Sequence, residues 1–403
     1  MRAMLRRICS HLALPYMNLS WQKVCPAKQT KLERSFFMNW KIRTGLAAMA
    51  LTGFFTVTAH AEDKVLNIYN WSDYIAEDTV AKFEKETGIK VHYDVYDGNE
   101  TMEAKLMAGS SGYDIVVPTA FPFLDREIKA GVFQPLDKSK IPNYKNLDPE
   151  LMKRVAAADP GNKYAVIWMW GTTGLGYNVD AVKKRIPNAP TDSYDLLFKP
   201  EYASKLKDCG ITILDSPTDV MPIVLNYLGL DPKSENPADL KKAEAVMMKI
   251  RPYVKYFNSS QYINDLANGD VCLSLGWSGD VFQAQSRAAD AKNGVNIAYS
   301  IPKEGTMIWF DNMAIPKDAP HPENALKWIN FILQPKIEAA NSNYVAYANP
   351  VPASKEFMDA SVKDNPAIYP SDAVMKKLFA VPTQDAAFIR QQTRIWTTIR
   401  TGQ

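Results

Sequence analysis

From residue 62 onward the chain alternates short apolar runs with amphipathic stretches. Residues 65–69 (Val-Leu-Asn-Ile-Tyr) form an apolar strand. Over residues 77–86, Val80 and Phe83 fall on one helical face, and Gly88 stops the helix. Ile89, Val91, Tyr93 and Val95 then alternate with polar positions, the period of a half-buried strand. A helix over 102–107 stopped by Gly109, a strand over 113–118 and a helix over 121–129 ending at Gly131 complete this first series. Strand–helix repetition of this kind builds a mainly parallel sheet covered on both faces. The same grammar returns later in the chain. Residues 163–170 are apolar and aromatic, and the glycine-rich stretch 171–176 after them reads as a turn or hinge. Residues 271–275 form a strand that leads into Trp277, and 307–315 form another. Residues 323–333 form an amphipathic helix opened by Pro322 and closed before Pro335.

This pattern covers roughly 340 residues, more than one ordinary hydrophobic core accommodates. The expected fold is therefore α/β with two lobes. No Gly/Ser-rich linker separates them, so extended strands are expected to cross between the lobes around a ligand cleft. In open α/β sheets ligands bind beyond the carboxyl ends of the strands.

The first 61 residues have a different character. Residues 38–43 are a short cationic opening, 44–57 are apolar or small, and Ala59-His60-Ala61 supplies a small-x-small cleavage pattern. That is a secretory signal peptide cleaved near Ala61, and its apolar run is too short for a stable membrane anchor. Residues 1–37 precede this second start at Met38 and read as an upstream start-codon artefact, the alternative being a genuine extended leader. Residues 1–61 hold 9 of the 47 Lys and Arg and 1 of the 44 Asp and Glu, which leaves 38 basic against 43 acidic side chains, a net −5. A mildly acidic product disfavours nucleic acid and weakly favours cationic ligands. Two cysteines remain, Cys209 and Cys272. In an oxidising compartment an even count suggests a disulfide, the alternative being two buried thiols.

Three clusters carry candidate chemistry: Trp71-Ser72-Asp73, Trp277-Ser278-Gly279-Asp280 and Trp309-Phe310-Asp311. Each lies where a strand runs or ends. An ammonium gains roughly 0.5–2 kcal/mol from each well-placed aromatic face, and more from a charge-assisted hydrogen bond to a carboxylate. Plainer roles compete. Asp73 or Ser72 suits the N-cap of a helix beginning near Ile75, and Asp280 suits the cap of the helix containing Phe282. Trp71 and Tyr74 also suit a core. Asp311 is the sharpest signal, because a charge inside so apolar a strand is costly unless paired. Its partner is either an ion within the protein or a cationic ligand.

Enzymatic readings lack parts. Beyond residue 61 there are two histidines, His92 and His321, without metal-ligand spacing, and the H-E-x-x-H pattern is absent. The stretch 276–280 lacks the last glycine of G-x-S-x-G. Neither a metal nor a cofactor is expected. A sugar-binding protein or an exported hydrolase stays open as an alternative.

Several segments together resemble the periplasmic polyamine-binding components of ABC transporters. They are 70–75 (Asn-Trp-Ser-Asp-Tyr-Ile), 108–114, 172–174, the long run 259–270, Gly276-Trp277, 301–305 and Tyr347-Ala348-Asn349. The likeness extends over essentially all of residues 62–403. It implies a two-lobed periplasmic binding fold of the type with two crossings. By position, residues 62–170 with 305–346 would form one lobe, and 171–304 with 347–403 the other. The resemblance implies a ligand-contacting set of Trp71, Ser72, Asp73, Tyr74, Thr119, Asp219, Trp277, Asp280, Trp309, Asp311 and Tyr347. It also implies inner-membrane permease subunits as partners and a monomer in the periplasm. Three of these positions depart from the putrescine-binding pattern. Thr119 stands for serine beside an unusual Phe121-Pro122-Phe123, Asp219 stands for glutamate, and Trp309 stands for phenylalanine. Tryptophan at the last position resembles spermidine-binding relatives, so a spermidine-preferring paralogue stays open.

Overall fold

The computed structural model describes residues 62–403. The signal peptide over 38–61, its cleavage near Ala61 and the reading of residues 1–37 lie outside the described residues. No described helix is long and apolar enough to cross a membrane.

Nine strands form one sheet: β1 (Val65–Trp71), β2 (Lys90–Tyr96), β3 (Ile115–Val116), β4 (Ala165–Asn178), β5 (Ile211–Ile213), β6 (Val254–Phe257), β7 (Leu273–Trp277), β8 (Ile297–Ser300) and β9 (Ile308–Ala314). Their order is β2-β1-β3-β9-β4-β7-β5-β6, with β8 paired to β4. The sheet is mixed. Parallel pairing is confined to β2-β1-β3 at one end and β7-β5-β6 at the other. The strands between them, β9 and β4, run antiparallel to their neighbours.

The buried apolar residues divide into two clusters. One contains Phe83, Ile115, Trp168 and Phe331. The other contains Tyr194, Leu214, Met247 and Trp396. This is the two-lobed α/β architecture. Tyr347, Ala348, Val351, Val362 and Ile368 pack into the first cluster, and the chain rejoins the second at Phe388. The boundary expected at residue 347 thus falls within a segment whose side chains belong to the first lobe.

The stretch 171–176 is not a turn. β4 runs unbroken for 14 residues, pairing β9 up to Thr172 and β7 from Thr173. It is itself a crossing between the lobes. Its glycines serve close approach rather than a bend. A Cβ at Gly171 would sit 2.7 Å from the Trp309 ring, and one at Gly174 would sit 2.4 Å from the Ser300 carbonyl oxygen.

The helix expected over 121–129 is shortened for a different reason. Phe121 takes an extended backbone (φ −123°, ψ 133°) before a cis bond to Pro122, and the α-helix spans only Asp125–Lys129. A residue preceding proline is sterically biased away from helical geometry.

Cys209 and Cys272 form a disulfide, Cα atoms 5.5 Å apart across a separation of 63 residues. It fastens the entries of the neighbouring strands β5 and β7. Closing a loop of this length stabilises the fold by about 4 kcal/mol in the chain-entropy account.

Candidate functional site

β1 and β3 run opposite to β5 and β7, and the carboxyl ends of both parallel sets meet around a cavity of about 610 Å³ counting its open mouth. Trp71 ends β1, Ser72 and Tyr74 come just after it, and Thr119 follows β3. Asp219 lies in the first turn of the helix Pro217–Tyr227 after β5, and Asp280 in the first turn of the helix Ser278–Ala291 after β7. Carboxylates placed there are favoured by the positive helix end. Trp309 and Asp311 come from β9, and Tyr347 from the segment after the helix Pro335–Val345. With Trp277, these are ten of the eleven positions expected to meet a ligand, drawn into one space.

Two of the carboxylates are buried. Asp311 is 4 % exposed and Asp280 is 7 % exposed. Their partners are neutral hydroxyls. Thr119 Oγ1 donates to Asp311 Oδ1 at 2.6 Å, and the Tyr74 hydroxyl donates to Oδ2 at 2.9 Å. Tyr347 donates to Asp280 Oδ1 at 2.6 Å, and Tyr262 donates to Oδ2 at 2.7 Å. Among the described residues no lysine or arginine forms an ion pair with either. Burial raises both carboxyls, and although the hydroxyl donors offset part of the rise they stand at about 7. Asp219 is raised as well, again by burial. It accepts hydrogen bonds from Ser216 Oγ at 2.5 Å and Thr173 Oγ1 at 3.2 Å.

Aromatic rings close the space around these acids. Trp71 meets Trp277 edge-on with centroids 5.5 Å apart. Tyr347 meets Tyr74 at 5.1 Å and Trp309 at 5.2 Å. The Trp71 indole donates to the Val117 carbonyl at 2.9 Å, which anchors that wall to the lobe. The arrangement is an acidic, ring-lined chamber with no lysine or arginine among the described residues that line it. Such a chamber takes a compact, multiply charged organic cation with an apolar body.

Asp73 departs from expectation. It does not line the cavity. Its backbone is left-handed (φ 53°), and its Oδ1 accepts a 2.6 Å ionic hydrogen bond from Arg287 Nη2. Gln283 Nε2 also donates to the Asp73 carbonyl at 3.1 Å. Both partners lie on the helix Ser278–Ala291 of the other lobe, so Asp73 ties the lobes together across the cleft. It does not cap a helix either, and Asp280 makes no side-chain cap.

Sequence reasoning missed Asn99 and Tyr262. The Asn99 amide donates to Thr119 Oγ1 at 2.9 Å, and its carbonyl oxygen accepts from the Thr119 N–H at 3.1 Å, which sets the hydroxyl that faces Asp311. Asn99 follows Gly98 at a helix start and reads as turn chemistry. Tyr262 reads as an apolar helix residue, and only tertiary packing brings its hydroxyl to Asp280.

Residues 78–370 match the family model of bacterial extracellular solute-binding proteins. The putrescine-binding periplasmic protein PotF of Escherichia coli (strain K12) is 55 % identical over 91 % of this chain and 99 % of its own length. The putrescine-binding periplasmic protein SpuD of Pseudomonas aeruginosa (strain UCBPP-PA14) is 54 % identical over 89 % of this chain and 98 % of its own. Among solved structures, a putative spermidine/putrescine ABC transporter protein from Listeria monocytogenes superposes with a TM-score of 0.76 at 32 % identity, covering 85 % of this chain and 100 % of that one. This chain belongs to the family of bacterial extracellular solute-binding proteins. It is a binding protein of solute transport and not an enzyme.

Proposed function

We propose that this chain is the periplasmic solute-binding component of an ABC transporter for polyamines, with putrescine as its foremost ligand. The observation that carries this reading is the pair Asp280 and Asp311, buried, hydrogen-bonded by neutral hydroxyls and enclosed by aromatic rings. A diammonium chain neutralises both acids while its methylenes lie against Trp71, Tyr74, Trp277, Trp309 and Tyr347. Asp219 supplies a third acid at the edge, for an amine met directly or through water. The names of the relatives favour the same ligand class and the same compartment. Lobe closure around the ligand would present a composite surface to membrane permease subunits. The exported chain would begin near Glu62 after removal of the signal peptide, and would act as a monomer.

Isothermal titration with putrescine, cadaverine, spermidine, spermine and a panel of neutral sugars tests the reading. Saturable heat from a diamine or polyamine, and none from the sugars, is expected. Silence from every amine together with firm binding of a sugar would sink it. N-terminal sequencing of the exported protein checks the cleavage position.

A further inference from the structure

Asp280 is held in part by a residue that takes no place in the cavity wall. Tyr262 opens the helix Tyr262–Asn268 and is fully buried behind β7. Its hydroxyl does two things. It donates to Asp280 Oδ2 at 2.7 Å and accepts the Trp277 backbone N–H at 3.0 Å. The ring reaches this position because residue 276 is glycine, where a Cβ would lie 2.5 Å from Tyr262 Cε2. Burial raises the phenol well above its ordinary range, so it remains a proton donor at every physiological pH.

A phenol with its proton given to one neighbour and a lone pair filled by another has one orientation. Asp280 therefore receives one hydroxyl proton on each oxygen, from Tyr347 on Oδ1 and from Tyr262 on Oδ2. A carboxylate keeps further lone pairs for an incoming ammonium. Tyr347 lines the cavity and would meet a ligand itself. Tyr262 acts only through Asp280 and Trp277.

We propose that Tyr262 is a positioning residue for ligand capture: its hydroxyl holds the Asp280 carboxylate ionised and oriented, and ties it to the backbone that carries the Trp277 wall. The proposal rests on the cation-binding reading above. The other titratable or charged groups acting on or around Asp280 are Tyr347, Tyr74, Asp73, Arg287 and Asp311, and the substitution below leaves all of them in place.

The test is Tyr262→Phe, which keeps the ring and removes only the hydroxyl. Putrescine affinity is measured by calorimetry across the range from weakly acidic to weakly basic pH, in the parent and the variant. Tyr256→Phe, on a phenol that donates instead to Asp265, is the control and should bind as the parent does. Loss of a hydrogen bond to a charged group predicts affinity about tenfold weaker at neutral pH. The acid-side fall in affinity should move up by about one pH unit. In an Asp280→Asn background the same substitution should no longer move the acid-side fall, because residue 280 has no carboxyl left to titrate. Replacing the phenol at position 262 by its 3-fluoro analogue keeps the shape and strengthens the donor, so the acid-side fall should move the opposite way. This arm decides the matter if Tyr262→Phe fails to fold. An unmoved pH profile, or a loss uniform across pH, would overturn the role of Tyr262. Failure of the parent itself to bind putrescine or any longer amine would instead withdraw the cation-binding reading.

Discussion

Tyr74 and Asp311 lie 237 positions apart in the chain, yet the tyrosine hydroxyl donates to the aspartate Oδ2 at 2.9 Å. The contact joins the end of β1 to the middle of β9. It turns a charge that would be unstable in an apolar strand into half of a binding site. Thr119 completes the arrangement from β3. Across the cleft Asp280 repeats the scheme with two phenols, Tyr262 from its own lobe and Tyr347 from the first. Donors that are neutral stabilise the ionised acids without an ion pair, which leaves the neutralising contact to an arriving cation.

Asp311→Asn and Asp280→Asn should each weaken putrescine binding by about ten- to a hundredfold, the cost of one charge-assisted hydrogen bond. Titration calorimetry reads the change directly. Near-parental affinity in both variants would remove these residues from the ligand's surroundings.

The raised carboxyls predict a pH dependence of defined sign. Asp280 and Asp311, pushed up to about 7, take up protons as the medium turns acid, and a protonated carboxyl no longer neutralises an ammonium. Affinity should therefore fall as pH drops through about 7, by as much as about tenfold per pH unit for each carboxyl. The ligand-free fold should respond in the opposite direction. Its carboxyls hold protons that the unfolded chain has already lost, so their contribution to stability declines as pH rises from about 4 to about 7. Thermal melts with and without putrescine at several pH values check both signs.

Trp309 fills the cavity between Tyr347 and Gly171. Trp309→Phe should take aromatic contact away from a longer chain at that end and move preference toward the shorter diamine, read as the ratio of putrescine to spermidine affinity. An unchanged ratio in paired titrations would show that Trp309 does not gauge length.

Asp73→Asn breaks an ion pair between the lobes rather than a ligand contact. Because both partners are partly exposed, its effect should stay below about 1 kcal/mol and diminish with added salt. Stopped-flow release of putrescine, compared at low and high ionic strength, distinguishes this from the larger, salt-tolerant loss expected of a pocket carboxylate.

Gly174→Ala should destabilise the protein by about 1–3 kcal/mol, since the added methyl meets a backbone carbonyl that cannot yield easily. Urea unfolding measures it.

The amino-acid pattern by itself determined the strand–helix alternation, the positions of β1, β2, β7 and β9 to within a few residues, and the candidate acids. Apolar periodicity and an isolated aspartate in an apolar strand are local signals, readable without neighbours. The direction of a side chain is not local. Nothing in the stretch around Asp73 says that its left-handed backbone would send the carboxylate to Arg287 on the other lobe. Likewise, the glycines of 171–176 look like a turn until Trp309, Ser300 and Val281 are seen pressed against them. Tyr262 and Asn99 became part of the site only because packing placed their polar atoms beside Asp280 and Thr119. Tertiary structure decided these points because a hydrogen bond or a close approach depends on three-dimensional distance, which sequence separation does not encode.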